Sequence, residues 1–169
     1  RAYRKALAVN PQIAVARRQI AKIRAAQGRT AEAVSELVAA LRLNPTDPDA
    51  HIRMGDLMVT LGRLDEATAA YREAARLDEH SETARSKAGD AYMLQQRYSD
   101  AMIEYRKALE IDPSCRLAHA GFGRAYLALG EHRLAAEEFR AALAADPGLT
   151  EAISGLAEAE AALATDGAS

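Results

Sequence analysis

Four of the five prolines set a ruler along this chain. Thirty-four residues separate Pro11 from Pro45 and Pro113 from Pro147, and twice that distance separates Pro45 from Pro113. The remaining mark falls at Glu79, where the pattern continues without its proline. Other residues keep the same spacing. Ala21, Gly55, Gly89, Gly123 and Ala157 form a row of small residues, and Ala33, Ala67, Ala101 and Ala135 form a second. Tyr3, Leu37, Tyr71, Tyr105 and Phe139 form a third, and Ala6, Ala40, Ala74, Ala108 and Ala142 a fourth. Coincidence does not align this many independent rows. A unit this short cannot bury its apolar face alone, so several must stack and share one continuous core.

Composition narrows the units to helices. Ala, Leu, Glu and Arg, all strong helix formers, dominate, while aromatics are 5% and tryptophan is missing. The order of the rows resembles the tetratricopeptide repeat, whose signature is W-x2-L-G-x2-Y, then A-x3-F, then P. Ala88-Gly89 with Tyr92, then Ala101, Tyr105 and Pro113, fits best; Phe122-Gly123 with Tyr126, then Ala135, Phe139 and Pro147, fits too, as does Met54-Gly55 with Met58, Ala67 and Tyr71. The resemblance implies an all-α fold, a right-handed α-solenoid of antiparallel helix-turn-helix repeats with a C-terminal capping helix. Full units are expected at 14–47, 48–81, 82–115 and 116–149, a partial unit at 1–13, a capping helix at 150–164 and a frayed tail at 165–169. Ile153, Leu156 and Leu163 are expected to face inward on the capping helix. The aromatic or leucine that opens the signature is replaced by Arg17, His51, Arg85, His119 and Ile153, and Arg24 stands in the column of Met58, Tyr92 and Tyr126. The long charged side chains imply packed stems with tips in water.

Glycines at 28, 62 and 130 predict left-handed ends to the first helices, with Gln96 as a weaker substitute. The prolines predict the ends of the second helices, because the residue before proline avoids the α region. Within the first helix of the third unit, Ala88, Gly89 and Tyr92 share one side, and Thr83, Ser86, Lys87, Asp90, Met93 and Leu94 the other. Each mid-helix glycine costs about 1 kcal/mol relative to alanine. Gly55, Gly89 and Gly123 are therefore read as points where a neighbouring helix comes very close.

Catalytic chemistry finds little foothold. The chain has no G-x-G-x-x-G, no G-x-x-x-x-G-K-[ST] and no H-E-x-x-H. His51 and His119 hold equivalent places two units apart, which stacked hairpins separate by far more than one metal can span. Cys115, the only cysteine, excludes an intramolecular disulfide and reads as a packing residue. No catalytic residue, metal site or cofactor is expected. With 22 basic against 24 acidic residues there is no basic excess to meet a phosphate backbone, so no nucleic-acid partner is expected. No run of about 18 apolar residues is present, so no direct membrane insertion is expected.

A binding surface is the expected function. The face opposite the packing face, taken across successive first helices, is expected to line a concave groove. Its candidates are Arg18 and Lys22, then Ile52, Arg53 and Val59, then Lys87, Met93 and Leu94, then Arg124 and Leu127. An aliphatic strip flanked by charges suits an extended or helical peptide. Some members of the resembled family clamp the C-terminal carboxylate of Hsp70 or Hsp90 with three bases and two asparagines. The matching places here hold Arg18, Lys22, Arg53, Thr83 and Lys87; only Arg18 and Lys87 agree in kind, so that clamp is not expected. The expected role is a protein–protein interaction scaffold or adaptor. The alternatives are a substrate-selecting segment of a larger enzyme, such as a glycosyltransferase, and a self-associating module. Self-association would use the open N-terminal end, where Tyr3, Ala6 and Leu7 lie. Residues 1–7 read as mid-helix with no cap ahead, so the chain is expected to be a fragment, with a cytoplasmic location as the default.

Overall fold

The computed structural model describes residues 12–166, all of them helical or in short turns. The elements are α1 (Gln12–Ala26), α2 (Thr30–Leu43), α3 (Pro48–Thr60), α4 (Leu64–Leu77), α5 (Glu82–Leu94), α6 (Tyr98–Ile111), α7 (Arg116–Ala128), α8 (His132–Ala145) and α9 (Thr150–Asp166). They fall into two compact groups divided between Glu79 and His80. In the first, α1 packs on α2, α3 on α4, and α2 on α3. In the second, α5 pairs with α6 and α7 with α8, while α7 also meets α5 and α6, and α9 meets both α7 and α8. Tyr3, Ala6 and Leu7, with most of the expected partial unit, lie outside the described residues.

One turn is used four times to fold a first helix back onto a second. Gly28, Gly62 and Gly130 have φ of 73°, 71° and 77°, and Gln96 takes the same left-handed conformation at φ 58°. The N–H groups of Arg29, Arg63, Arg97 and Glu131 reach back to the carbonyls of Arg24, Met58, Tyr92 and Tyr126, at 2.8–2.9 Å. This is the six-to-one bond that satisfies the last carbonyls of a helix. The second helices end at Leu43, Leu77, Ile111 and Ala145, and each is followed by an extended Asn44, Asp78, Asp112 or Asp146. Asp78 adopts that conformation although no proline follows it, so proline is not what stops α4. In the other three links the Asn or Asp side chain accepts from the backbone N–H two residues on, at Thr46, Ser114 and Gly148. These Asx turns hold the link in shape.

The core is built from the periodic rows. Ala33, Leu37, Ala67, Ala101, Tyr105, Ala108, Ala135, Phe139 and Ala142 are fully sealed from solvent, and Tyr71 is 3% exposed. Gly55 lies flat against the Tyr71 ring, where a Cβ would approach ring carbons to 2.5 Å; Gly123 does the same to Phe139 at 2.6 Å. Alanine and glycine thus make room for one large ring per hairpin, the arrangement that close interhelical packing requires.

Several expectations need correction. The last helix runs to Asp166, past its expected end at residue 164. On it Ile153 and Leu163 are exposed, and Ala152, Gly155 and Ala159 are buried, with Leu156 packed partly against the core. Ala157, which shares the column of the packed glycines, is exposed as well. Ser86, assigned to the free side of α5, is completely buried, with its Oγ 3.6 Å from the Sγ of Cys115. The polar residues that open each signature do not simply trail their tips in water. Arg17 pairs with Glu36 at 2.8 Å, Arg85 with Glu104 at 3.6 Å and His119 Nδ1 with Glu138 at 2.7 Å. Each pair joins residues nineteen apart and clips the two helices of one hairpin. His51, which meets Ala70 at that spacing, instead places Nε2 at 3.0 Å from the Pro45 carbonyl, as His119 does with Pro113.

Candidate functional site

Four columns of the repeat meet beside the large core side chain, and their occupants decide what the first-helix face offers. One column runs Lys22, Asp56, Asp90, Arg124; a second Leu37, Tyr71, Tyr105; a third Arg53, Lys87, Gly121; a fourth Ala25, Val59, Met93, Leu127. Where the second column holds tyrosine, its hydroxyl donates to the aspartate fifteen residues earlier: Tyr71 to Asp56 at 2.8 Å and Tyr105 to Asp90 at 2.7 Å. In the second group of helices this grows into a network. Arg124 NH2 pairs with Asp90 and stands 3.3 Å from the Tyr105 hydroxyl, and its Nε lies 2.8 Å from Glu151. The network links α5, α6, α7 and α9. Burial, with the charge of Asp90 beside it, pushes the Tyr105 phenol far above the ordinary tyrosine range, so it stays a donor. Burial opposes the charge of Arg124, but Asp90, Tyr105 and Glu151 outweigh it and raise its pKa.

In the first group the same place is built differently. Leu37 has no hydroxyl and Lys22 replaces the aspartate, so no lock forms. A recess of about 90 Å³ remains there, open to solvent, with Lys22, Arg53 and Asp56 at its rim and Ala25, Leu37 and Leu57 as walls.

The ten candidate residues do not share one fate. Arg18 is tied to Asp47 at 3.3 Å and to Asp49, and Arg124 is held in its network, so neither is a bare base. Met93 and Leu127 are half-buried and pack against the core clusters. Leu94 is 56% exposed. Ile52 and Val59 are partly exposed, as are Arg53 and Lys87, and Lys22 is exposed. Among the described residues, neither Lys22 nor Arg53 makes an ion pair or a side-chain hydrogen bond.

Tetratricopeptide repeat models match residues 24–72, 52–115 and 105–150. The chain belongs to the tetratricopeptide repeat family. No curated protein matches it closely enough to count. Solved structures with the same fold include pilF of Pseudomonas aeruginosa, 21% identical over 88% of this chain and 68% of that one, with a TM-score of 0.79. TTC0263, a thermophilic TPR protein of Thermus thermophilus, is 22% identical over 89% and 82% of the two chains, with a TM-score of 0.77. YrrB, a TPR protein with an unusual peptide-binding site, is 20% identical over 95% and 83%, with a TM-score of 0.69. With these neighbours, the helices form an all-α helical-repeat solenoid, a protein-interaction fold.

Within this tetratricopeptide repeat chain, the tyrosine–aspartate locks escaped the reading of the sequence. Their signal was present, since Asp56–Tyr71 and Asp90–Tyr105 share one spacing. A regular column of large side chains is accounted for by packing alone, so its hydroxyls give no separate periodic signal. Among the described residues no helix is long and apolar enough to cross a membrane.

Proposed function

We propose that this tetratricopeptide repeat segment is a non-catalytic binding module that takes a peptide of a partner protein along the exposed faces of its first helices. The observation that carries the reading is the set of apolar and basic side chains on those faces that packing leaves over: Leu94 is more than half exposed, Ile52 and Val59 are partly exposed, and Lys22 and Arg53 lack carboxylate partners among the described residues. An aliphatic strip with bases beside it suits an extended or helical segment. The likeness to YrrB, a repeat protein with a peptide-binding site, supports the same reading.

Met93 and Leu127 are poor probes, because changing either disturbs the core it packs on. The test uses Ile52→Glu and Leu94→Glu, with Leu134→Glu on α8 as a control of equal chemistry on a second helix. Peptides are selected on the unmodified chain from a displayed random dodecamer library, and affinities are measured by fluorescence anisotropy. Burying a leucine side chain is worth about 1.5–3 kcal/mol, so each first-helix change should weaken binding about tenfold or more while the control leaves it unchanged. Equal losses in all three variants, or none in the first two, would remove the assignment.

A further inference from the structure

Four first helices, α1, α3, α5 and α7, each hide one side under their own second helix. The small residue on that side, Ala21, Gly55, Gly89 or Gly123, is buried, and the residue four places earlier, Arg17, His51, Arg85 or His119, is half-buried. In α9 the same two columns hold Ile153 and Ala157, and among the described residues nothing lies over them: Ile153 is 50% exposed and Ala157 is exposed too. At about 100° per residue, Ile153, Ala157, Glu160 and Ala164 fall within about 60° of one another and form one exposed stripe. A terminal face that met only water would be polar, whereas Ile153, Ala157 and Ala164 are apolar.

The closed hairpins show what kind of helix fits such a side. Gly55, Gly89 and Gly123 lie under the rings of Tyr71, Tyr105 and Phe139, where a Cβ would overlap them. Ala21 instead shares its core cluster with Leu37. A methyl group goes with leucine and its absence with a ring, so Ala157 calls for leucine. Charges are matched as well. On α1, Arg17 pairs with Glu36 at 2.8 Å, and Arg24 pairs with Glu32 and lies 3.8 Å from Glu36. On α9 the places of Arg17 and Arg24 are held by Ile153 and Glu160. One base has become apolar and the other acidic, so the matching cover is aliphatic where Glu36 stands and basic where Glu32 stands. The rest of α9 agrees, with Glu151, Glu158, Glu160 and Asp166 and no base. Arg140 meets Glu160 through an exposed pair, which is worth little, and Glu158 makes no ion pair among the described residues.

We propose that this stripe of α9 docks a helix of a partner protein that bears a base, an aliphatic residue and a leucine at the places Glu32, Glu36 and Leu37 hold on α2. The base meets Glu160, the aliphatic residue covers Ile153, and the leucine seats on Ala157. The partner helix packs on α9 as α2 packs on α1. A second α9 is disfavoured as the occupant, because two acidic helices repel each other. The stripe uses other columns than the first-helix binding face, so the two surfaces can be tested apart.

The probe is a fluorescein-labelled peptide with the sequence of α2, Thr30–Leu43, carrying Glu32→Lys and Glu36→Leu and held helical by a hydrocarbon staple on its solvent side. Binding is read by fluorescence anisotropy. The unmodified chain should bind it about tenfold or more tightly than the peptide with its natural glutamates, since one more aliphatic side chain is buried. Ile153→Glu should abolish that preference, while Leu61→Glu, a change at an exposed leucine of the first group, should leave it. A third peptide that also carries Leu37→Tyr should bind the unmodified chain poorly and regain affinity on Ala157→Gly, an exchange that a merely sticky surface would not show. Ile153 and Ala157 are exposed, so an unchanged circular dichroism spectrum certifies the fold of both variants. Equal binding of the first two peptides, or a preference that survives Ile153→Glu, overturns the assignment and leaves the first-helix reading standing. A dimer of the chain alone that Ile153→Glu abolishes makes a second copy the occupant and also overturns it.

Discussion

Tyr105 is held between two glycines on different helices, Gly89 of its own hairpin and Gly121 of the next, and a Cβ at either would overlap the ring. Two effects of opposite sign meet there. Alanine is better than glycine in a helix by about 1 kcal/mol, whereas forcing an extra carbon into a sealed core costs about 1–3 kcal/mol. The ring is completely buried and cannot swing into solvent, so crowding wins. Gly89→Ala and Gly121→Ala should each destabilise the fold, by about 1 kcal/mol net, which for a chain this long lowers the melting midpoint by about 2–4 °C. Thermal unfolding followed by circular dichroism checks this, and an unchanged or raised midpoint would show that the ring has room. Gly89 was legible in the sequence because its column is small in every unit. Gly121 was not, because its column holds Arg53 and Lys87 in earlier units and only later becomes small. A column that changes character along the chain gives no periodic signal, even where contact is closest.

Each hairpin is closed by the same left-handed turn, and one of the four lacks glycine. Gln96 holds φ 58°, a conformation that costs an ordinary L-residue about 1–2 kcal/mol. Glycine would relieve that strain but would loosen the unfolded chain, a counter-effect of about 0.4–1 kcal/mol. Relief outweighs the loosening, so Gln96→Gly should raise the melting midpoint by one to a few degrees, about 2–4 °C per kcal/mol gained. The backbone bond from Arg97 to the Tyr92 carbonyl should survive the change, and amide exchange at Arg97 would report it. Helix ends were readable because glycine and proline act locally. Faces were less so. The inward set of α9 was misassigned, since Ile153 and Leu163 are its bulkier apolar residues while the packing uses Ala152, Gly155 and Ala159. In this fold burial follows smallness more than hydrophobicity, because helices that touch closely have no room for a branched side chain. The clips from Arg17, Arg85 and His119 to acids nineteen residues on were equally hidden, since a single chain offers many carboxylates at many spacings.

For the molecule as a whole, pH should define a plateau with two different edges. Glu32 and Glu73 are held below the ordinary carboxylate range chiefly by hydrogen bonds from Arg29 and Arg76, and Asp112 by those from Ser114. A depressed acid stabilises the folded state above its unfolded pKa, near 4, and that contribution disappears as the pH falls through the lower folded value. None of the three is buried, so the acid edge should be shallow. Tyr105 acts in the opposite sense. Its folded pKa is raised, so its contribution is complete below about pH 10, where a free phenol ionises, and is lost as the pH climbs beyond that. Urea unfolding across the pH range should show constant stability from about pH 5 to 9 and a decline on either side. Tyr105→Phe should flatten the alkaline limb, and an unchanged limb would exclude the Tyr105 phenol as its source. The repeat itself, its length and its helical class were plain from the spacing of a few residue types. What spacing could not show was which columns change partner along the chain, and the open recess arises from such a change, where leucine and lysine stand in place of tyrosine and aspartate.

The only sulfhydryl of the chain sits at the joint between two hairpins, where Cys115 caps α7 and is shut in against Ser86 of α5. Only 6% of it meets solvent, at a surface recess beside Ser114 and Arg116, so a thiol dye should react with it far more slowly than with a free cysteine, and the chain carries its own stopwatch: a lone sulfur, needing no engineered label, whose rate of modification reports how readily one joint of the array loosens.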